Sequence, residues 1–143
     1  MSTNQNSNSA AEIEAVRSVY AAINRNDPSA ALQFLDPRIE RIEPEGFPLA
    51  GVYRGHAEVL AHLSKGRETW AEGSCEPERF LVAGDKIIAF LHVRVRLKNN
   101  PDWIDGRLAD VFTFRNGKAI EMRTFGENGE ALEWVGVKDS SLK

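Results

Sequence analysis

The chain has 143 residues, 42% of them hydrophobic, which is typical of one globular domain with a core of its own. Its 21 Asp and Glu residues outnumber its 18 Lys and Arg residues, and the formal net charge of −3 offers nucleic acid no basic surface. No apolar run approaches the roughly 20 residues that span a bilayer, and the single cysteine, Cys75, has no internal disulfide partner, so the composition favours a soluble protein of the reducing cytoplasm.

The first predicted element is a helix over residues 10–24. Ser9 and Glu12 have the spacing of a capping box, and apolar residues follow at helical intervals. These residues are Ile13, Val16, Tyr20 and Ile23. The preceding residues are polar and uncharged, and they lack the basic and apolar regions of a signal peptide. We therefore expect residues 1–9 to form a disordered tail.

The next segment predicts a short helix, a short strand and a longer helix. Asp27 and Pro28 supply an N-cap and a first-turn proline for the short helix, which should end before Pro37. A brief alternation of side chains then predicts a strand that Pro44 ends. Apolar residues at helical spacing predict the longer helix over residues 56–70.

The C-terminal half has the alternation of β-strands. We expect strands over residues 76–83, 86–97, 107–114 and 118–125, joined by turns at "GD" and "RNG" and by the loop "KNNPDWIDG". Residues 130–137 are either a last helical turn or a strand. This order predicts an α+β fold in which a strongly curved sheet wraps around helices and encloses a cone-shaped cavity.

One residue breaks the apolar pattern of the strand "LADVFTF". Four of its side chains share a face: Leu108, Asp110, Phe112 and Phe114. A buried carboxylate is costly unless it finds a partner, becomes protonated or lies in a pocket. Asp110 is therefore a candidate site residue. The alternative is a structural carboxylate paired with an arginine, for which Arg41, Arg94 and Arg123 are candidates.

Three stretches of the chain resemble the nuclear transport factor 2-like superfamily, in particular its SnoaL-like and ketosteroid-isomerase-like branch. They are "YAAINRNDPSAALQFLDP", "EPEGFPLAGVYRGHAEVLAHL" and "DVFTFRNGKAIEMRTF", and the resemblance extends over roughly residues 12–137. It implies a cystatin-like cone, with three N-terminal helices inside a curved antiparallel or mixed sheet. The predicted organisation is a single SnoaL-like domain over residues 10–137 and a C-terminal tail over residues 138–143.

The same resemblance implies roles for two carboxyl groups. The general base of the steroid isomerases, which precedes a proline in that family, falls on Glu43. The protonated acid that donates a hydrogen bond to the oxyanion there falls on Asp110. The oxyanion tyrosine of that family falls on Val19, and Tyr20, one position along, is rotated by about 100° around the helix. This departure favours acid/base chemistry on some other carbonyl compound, without a cofactor.

The strand over residues 86–97 leaves two interpretations open. If the face that carries His92 and Arg94 lines the cavity, His92 is a candidate general acid or base, and Arg94 binds an anion or pairs with Asp110. If that face points outward, its arginines form a solvated or dimer-contacting surface. The residues assigned to the pocket wall are Tyr20, Arg41, Trp70, His92, Arg94 and Phe112.

The predicted partners are a small hydrophobic molecule and a second copy of the chain. A homodimer is expected because one face of the sheet is too apolar for water. That face carries Leu91, Val93, Val95 and Val111. His56 and His62 lie six residues apart on the third helix and do not share a face, so no metal site is predicted.

Two classes of function stay open. One is a cofactor-free isomerase or cyclase with Glu43 as the base and Asp110 as the acid or oxyanion donor. The other is a non-catalytic ligand-binding or interaction domain in which both carboxyl groups are structural. They differ in whether Asp110 lines a closed cavity without an arginine partner.

Overall fold

The computed structural model of the chain describes residues 2–137, with side chains from residue 9 onward. The predicted C-terminal tail, residues 138–143, lies outside the described residues. The elements in chain order are helix α1 (Ser2–Asn24), a 3₁₀ helix (Pro28–Phe34), strands β1 (Leu35–Glu43) and β2 (Gly51–Arg54), helix α2 (Gly55–Glu68), strands β3 (Trp70–Ala83), β4 (Lys86–Leu97), β5 (Trp103–Arg115) and β6 (Lys118–Phe125), and helix α3 (Asn128–Val135).

The strands form one mixed sheet in the order β2-β1-β6-β5-β4-β3. Strands β3 to β6 are an antiparallel meander, and β1 pairs parallel with β6. Irregularities at Trp70/Glu72 and Pro77/Arg79 interrupt the pairing of β3 with β4, and such bulges bend a strand. The prediction of an α+β fold with a curved, mixed sheet and helices is confirmed.

The helices before β3 pack on the concave face of the sheet. Helix α1 buries one side of its surface there, including Val16, Val19 and Tyr20, and the main core also contains Val59 of α2 and Phe112 of β5. A smaller cluster covers part of the opposite face, where α3 packs on residues of β4 and β5. The sheet therefore has an inner face with a large core and an outer face on which α3 covers a smaller apolar cluster.

The apolar residues on which the predicted homodimer was based do not all lie on one face of the sheet. Leu91 and Val93 point into the concave side of the sheet, where they line a cavity. Val111 lies on the opposite face, in the cluster that α3 covers. The argument from a single exposed apolar face is therefore wrong, and the homodimer itself stays a prediction.

Several predicted boundaries are also corrected. Helix α1 begins at Ser2 instead of residue 10, because no proline or glycine interrupts residues 2–9 and a helix propagates more readily than it nucleates. The short second helix is a 3₁₀ helix. Strand β2 is not among the predicted elements, and β3 and β5 begin earlier than expected, at Trp70 and Trp103. The division into a tail over residues 1–9 and a domain from residue 10 stays a prediction.

No helix in residues 2–137 is both long enough and apolar enough to cross a membrane.

Candidate functional site

A cavity of about 380 Å³ lies between the concave face of the sheet and helices α1 and α2. Its wall is mostly apolar and includes Leu63, Trp70, Leu91, Val93, Leu97 and Ile104. Two groups of polar side chains interrupt that wall: Tyr20, Asp110 and Thr124 form one, and Arg41, Glu43 and His62 form the other. An apolar cavity with a few convergent polar groups is the usual form of a small-molecule site.

The first group explains how the carboxyl group of Asp110 is accommodated in an otherwise apolar strand face. Asp110 is only 3% exposed, and both of its oxygens accept hydrogen bonds from buried hydroxyls. Tyr20 Oη donates to Oδ2 at 2.5 Å, and Thr124 Oγ1 donates to Oδ1. The partners of Asp110 are therefore hydroxyls and not one of the three candidate arginines.

Tyr20 reaches Asp110 although the resemblance places the family tyrosine at the preceding position. Both Val19 and Tyr20 are buried, because α1 presents a wide apolar surface to the sheet. Burial raises the pKa of Tyr20 well above its ordinary range, and the adjacent charge of Asp110 raises it further. The phenol therefore stays protonated and keeps donating to the carboxyl group.

The second group is centred on Glu43, at the end of β1. Its Oε1 lies 3.4 Å from Arg41 Nη2, and its Oε2 accepts a hydrogen bond of 3.2 Å from the backbone N–H of Leu49. Burial by itself raises the pKa of Glu43, but nearby His62 and the positive charge of Arg41 outweigh that effect. The pKa of Glu43 consequently lies below its ordinary value, and the side chain is a carboxylate at neutral pH.

His62 of α2 lies beside Glu43, although its spacing from His56 in the sequence suggested only a metal site, which was not predicted. Its Nε2 is 3.6 Å from Glu43 Oε1, which is close enough for electrostatic attraction but too long for a hydrogen bond. The ring packs against Tyr53, with centroids 4.0 Å apart. The helical spacing of α2 does indicate that His62 is buried: it follows Val59 by three residues, so the two side chains share one face of the helix, and both are buried.

The register of the strands places the two carboxyl groups two strands apart in the wall of one cavity. Ile42 of β1 pairs with Arg123 of β6, so Glu43 and Thr124 follow side by side, and Thr124 pairs with Asp110 of β5. The backbones of Glu43 and Asp110 are thus two strand spacings apart, roughly 10 Å. Both side chains line the same cavity, with Thr124 on the strand between them.

Three residues that were assigned to the pocket wall lie elsewhere. His92 and Arg94 are on the outer face, where both pair with Asp105, at 2.7 Å and 3.7 Å. Arg94 also stacks over the ring of Trp103. Phe112 is fully buried in the core and contacts the ring of Tyr20 edge-on, so it supports the site from behind. Of the assigned residues, Tyr20, Arg41 and Trp70 do line the cavity, as do Glu43 and Asp110.

The remaining reactive groups of the cavity offer no obvious nucleophile or metal centre. Cys75 lines the cavity, but burial raises the pKa of its thiol, so it is a thiol and not a thiolate near neutral pH. No group of three or more His, Cys, Asp or Glu side chains with the geometry to hold a metal ion is found in residues 2–137.

Comparisons with known proteins agree with this architecture. A family model described as a SnoaL-like domain matches residues 16–122, more than half of the chain. No curated protein matches the chain.

Three solved structures illustrate the likeness. TerC, co-crystallised with polyporic acid, is 24% identical, with a TM-score of 0.73 over 87% of this chain and 98% of that chain. A nuclear transport factor 2-like protein from Burkholderia thailandensis is 26% identical, with a TM-score of 0.72 over 85% of this chain and 95% of that chain. A protein with a ketosteroid isomerase-like fold from Catenulispora acidiphila, in complex with trimethylamine, is 13% identical, with a TM-score of 0.71 over 87% and 94% of the two chains.

Proposed function

The chain belongs to the SnoaL-like domain family, and from that membership and the geometry of its cavity we propose that it binds a small hydrophobic carbonyl compound and isomerises or cyclises it by acid/base chemistry without a cofactor. The observation that carries the proposal is the presence of two carboxyl groups, on strands two positions apart, in the wall of one apolar cavity. Each has different hydrogen-bond partners, and different partners allow two carboxyl groups to take different roles.

Glu43 is the proposed base. Its lowered pKa keeps it ionised at neutral pH, so it can accept a proton from the carbon next to the ligand carbonyl. The electron pair of that C–H bond moves into the C–C bond, and the carbonyl oxygen becomes an enolate oxygen. Where a C=C bond is conjugated with the enolate, return of the proton to the far carbon of that system completes an isomerisation. In a cyclisation the enolate carbon instead attacks a second carbonyl group, and the oxygen of that group takes the proton back from Glu43.

Asp110 has a more restricted role than the resemblance implies. Both of its oxygens accept hydrogen bonds, from Tyr20 and Thr124, so in this arrangement the carboxyl group acts as an acceptor and no donation by it is seen. We therefore assign the three residues the role of a polar wall that orients the ligand. The same observation supports the second candidate function, a ligand-binding domain without turnover in which the carboxyl groups are structural.

Precedent for small molecules in this fold supports the binding part of the proposal. TerC was crystallised with polyporic acid, and the Catenulispora acidiphila protein was crystallised with trimethylamine. A homodimer and a cytoplasmic location remain part of the proposal. The outer face available for such a dimer is charged, with His92, Arg94 and Asp105 on it.

A cavity-filling substitution tests ligand binding. We expect Leu97→Trp to weaken binding of 2-tetralone, a bicyclic ketone, by at least about tenfold, because the larger side chain fills the space of the ligand. Val82→Trp is the matched control, since Val82 is 39% exposed and does not line the cavity. Isothermal titration calorimetry measures both affinities. Equal affinities of the two variants would place the ligand outside this cavity.

Exchange of ligand protons tests the proposed base. In D₂O the wild-type protein should speed deuterium uptake next to the carbonyl of 2-tetralone, and Glu43→Gln should reduce that rate by about 100-fold, because the amide cannot accept the proton. The lowered pKa of Glu43 predicts that the rate persists below the ordinary glutamate value of about 4.3 and declines only as the pH falls through the lowered pKa. NMR follows the exchange. Binding without any exchange would favour the ligand-binding domain.

A further inference from the structure

Two buried polar side chains at one end of the cavity lack hydrogen-bond partners. Within the described part of the chain, none is found for Nε of Arg41 or for either ring nitrogen of His62. The side chains are only 7% and 4% exposed, and both line the cavity. Buried groups of this kind are nearly always paired in folded proteins, so an unpaired cluster calls for an explanation.

Glu43 does not supply the missing partner. Its Oε1 is shared with Nη2 of Arg41, and its Oε2 is taken by the backbone N–H of Leu49. The other terminal nitrogen of Arg41, Nη1, donates to the carbonyl oxygens of Ile42 and Met122. Both terminal nitrogens of Arg41 are therefore engaged, and Arg41 and His62 both line the cavity.

The chemistry of the unpaired atoms identifies what they need. An arginine Nε–H only donates, and a neutral histidine has one donating and one accepting nitrogen. Both side chains can thus donate to a hydrogen-bond acceptor, and an oxygen is the acceptor that a carbonyl compound carries. The acceptor would lie next to the Glu43 carboxylate, since His62 Nε2 is 3.6 Å from Glu43 Oε1.

We propose that Arg41 and His62 bind the carbonyl oxygen of the ligand and stabilise the enolate that forms on it, with His62 as a further catalytic residue. This assignment rests on the proposed function, and it moves oxyanion stabilisation from Asp110 to the group of polar residues around Glu43. While the proton passes from the ligand carbon to Glu43, the negative charge passes to the ligand oxygen. Donors that buried side chains hold in place at that oxygen stabilise the charge more than mobile water does.

A comparison within helix α2 separates this role from a structural one. His56 Nε2 lies 2.8 Å from the carbonyl oxygen of Leu35, so this histidine has the partner that a structural residue needs. For the ring nitrogens of His62 no hydrogen-bond partner is found among the described residues; Nε2 lies 3.6 Å from Glu43 Oε1, and the ring packs against that of Tyr53 at a tilt of 34°. Phenylalanine preserves that contact and removes both unpaired nitrogens.

The experiment compares His62→Phe with His56→Phe, using 2-tetralone and its hydrocarbon counterpart tetralin as probes. In the wild type, the ketone should bind about fivefold to tenfold more tightly than the hydrocarbon, and His62→Phe should lose that preference while keeping its affinity for tetralin. His62→Phe should melt close to the wild type, because removal of two unpaired ring nitrogens offsets the loss of the attraction to Glu43. His56→Phe should melt at a lower temperature and keep the preference for the ketone.

Infrared spectroscopy of bound 2-tetralone provides a readout that a structural role would not change. Its carbonyl stretch should lie at lower frequency in the wild type than in His62→Phe, because hydrogen bonds weaken the C=O bond. If the wild type binds both probes equally and the carbonyl stretch is unshifted, the role of Arg41 and His62 at the carbonyl oxygen is overturned. Ligand binding in the cavity would still be supported by that result. If neither probe binds, both proposals fail. If His62→Phe does not fold, an unshifted stretch in the wild type still overturns the proposal.

Discussion

Replacing Gly73 with alanine is expected to lower the free energy of unfolding by at least about 3 kcal/mol. Gly73 has a φ of +116°, a conformation that residues with a Cβ atom rarely adopt. An added Cβ would also lie 2.5 Å from the backbone Cα of Val95 and closer still to the carbonyl oxygen of Arg94. Both atoms belong to the paired strand β4, so the clash can be relieved only by separating β3 from β4.

Gly106→Ala is the matched control for this substitution. Gly106 also lies in the sheet, opposite Val93, but nothing lies within 4 Å of an added Cβ, and its φ is outside the left-handed region. We expect the free energy of unfolding of Gly106→Ala to stay within about 1 kcal/mol of the wild-type value. Urea denaturation measures both variants. Equal stabilities would mean that the bulge near Gly73 rearranges without cost and that the bend of β3 does not depend on this glycine.

Replacing Asp110 with leucine should lower the free energy of unfolding by about 4 kcal/mol. The substitution leaves the buried hydroxyls of Tyr20 and Thr124 without their acceptor, and each unsatisfied group costs about 1–3 kcal/mol. Asp110→Asn should be milder, because its amide still accepts one hydrogen bond and donates another. Thermal and urea denaturation measure the series.

Removal of all three polar groups is the control for Asp110. In the triple variant Tyr20→Phe, Thr124→Val and Asp110→Leu, no hydroxyl is left unpaired, and most of the lost stability should return. A triple variant that is as unstable as Asp110→Leu would show that the loss comes from packing and not from unsatisfied hydroxyls. A stable Asp110→Leu would show that the network contributes little to folding.

The arrangement of the fold was largely accessible from local sequence patterns. Alternating strands separated by turns predicted the meander, and apolar residues at helical spacing predicted the helices, because each element must bury its own apolar side. The edge strand β2, with only four residues and no fully buried side chain, has too weak a pattern to be found in this way.

The partner of Asp110 could not be predicted from the strand pattern alone. Counting residues back from the turn between Arg115 and Lys118 places Arg123 opposite Asp110, and Arg123 is one of the arginines that the sequence suggests. A register shift between Thr113 and Phe114 moves the pairing by one residue, so Thr124 stands there instead. One extra residue in a strand turns every following side chain to the other face of the sheet. Asp110 therefore faces the hydroxyl of Thr124 and not the charged side chain of Arg123.

The sequence by itself determined which side chains of a strand stand together, since alternation is a property of the extended backbone. It grouped Asp110 with Leu108 and Phe112, and His92 with Arg94, and both groups are found in the structure. Only the tertiary structure decided which group faces inward, because that depends on where the helices cover the sheet. The helices cover the face of Asp110, so that carboxyl group meets Tyr20 in a cavity, while His92 and Arg94 meet Asp105 at the surface.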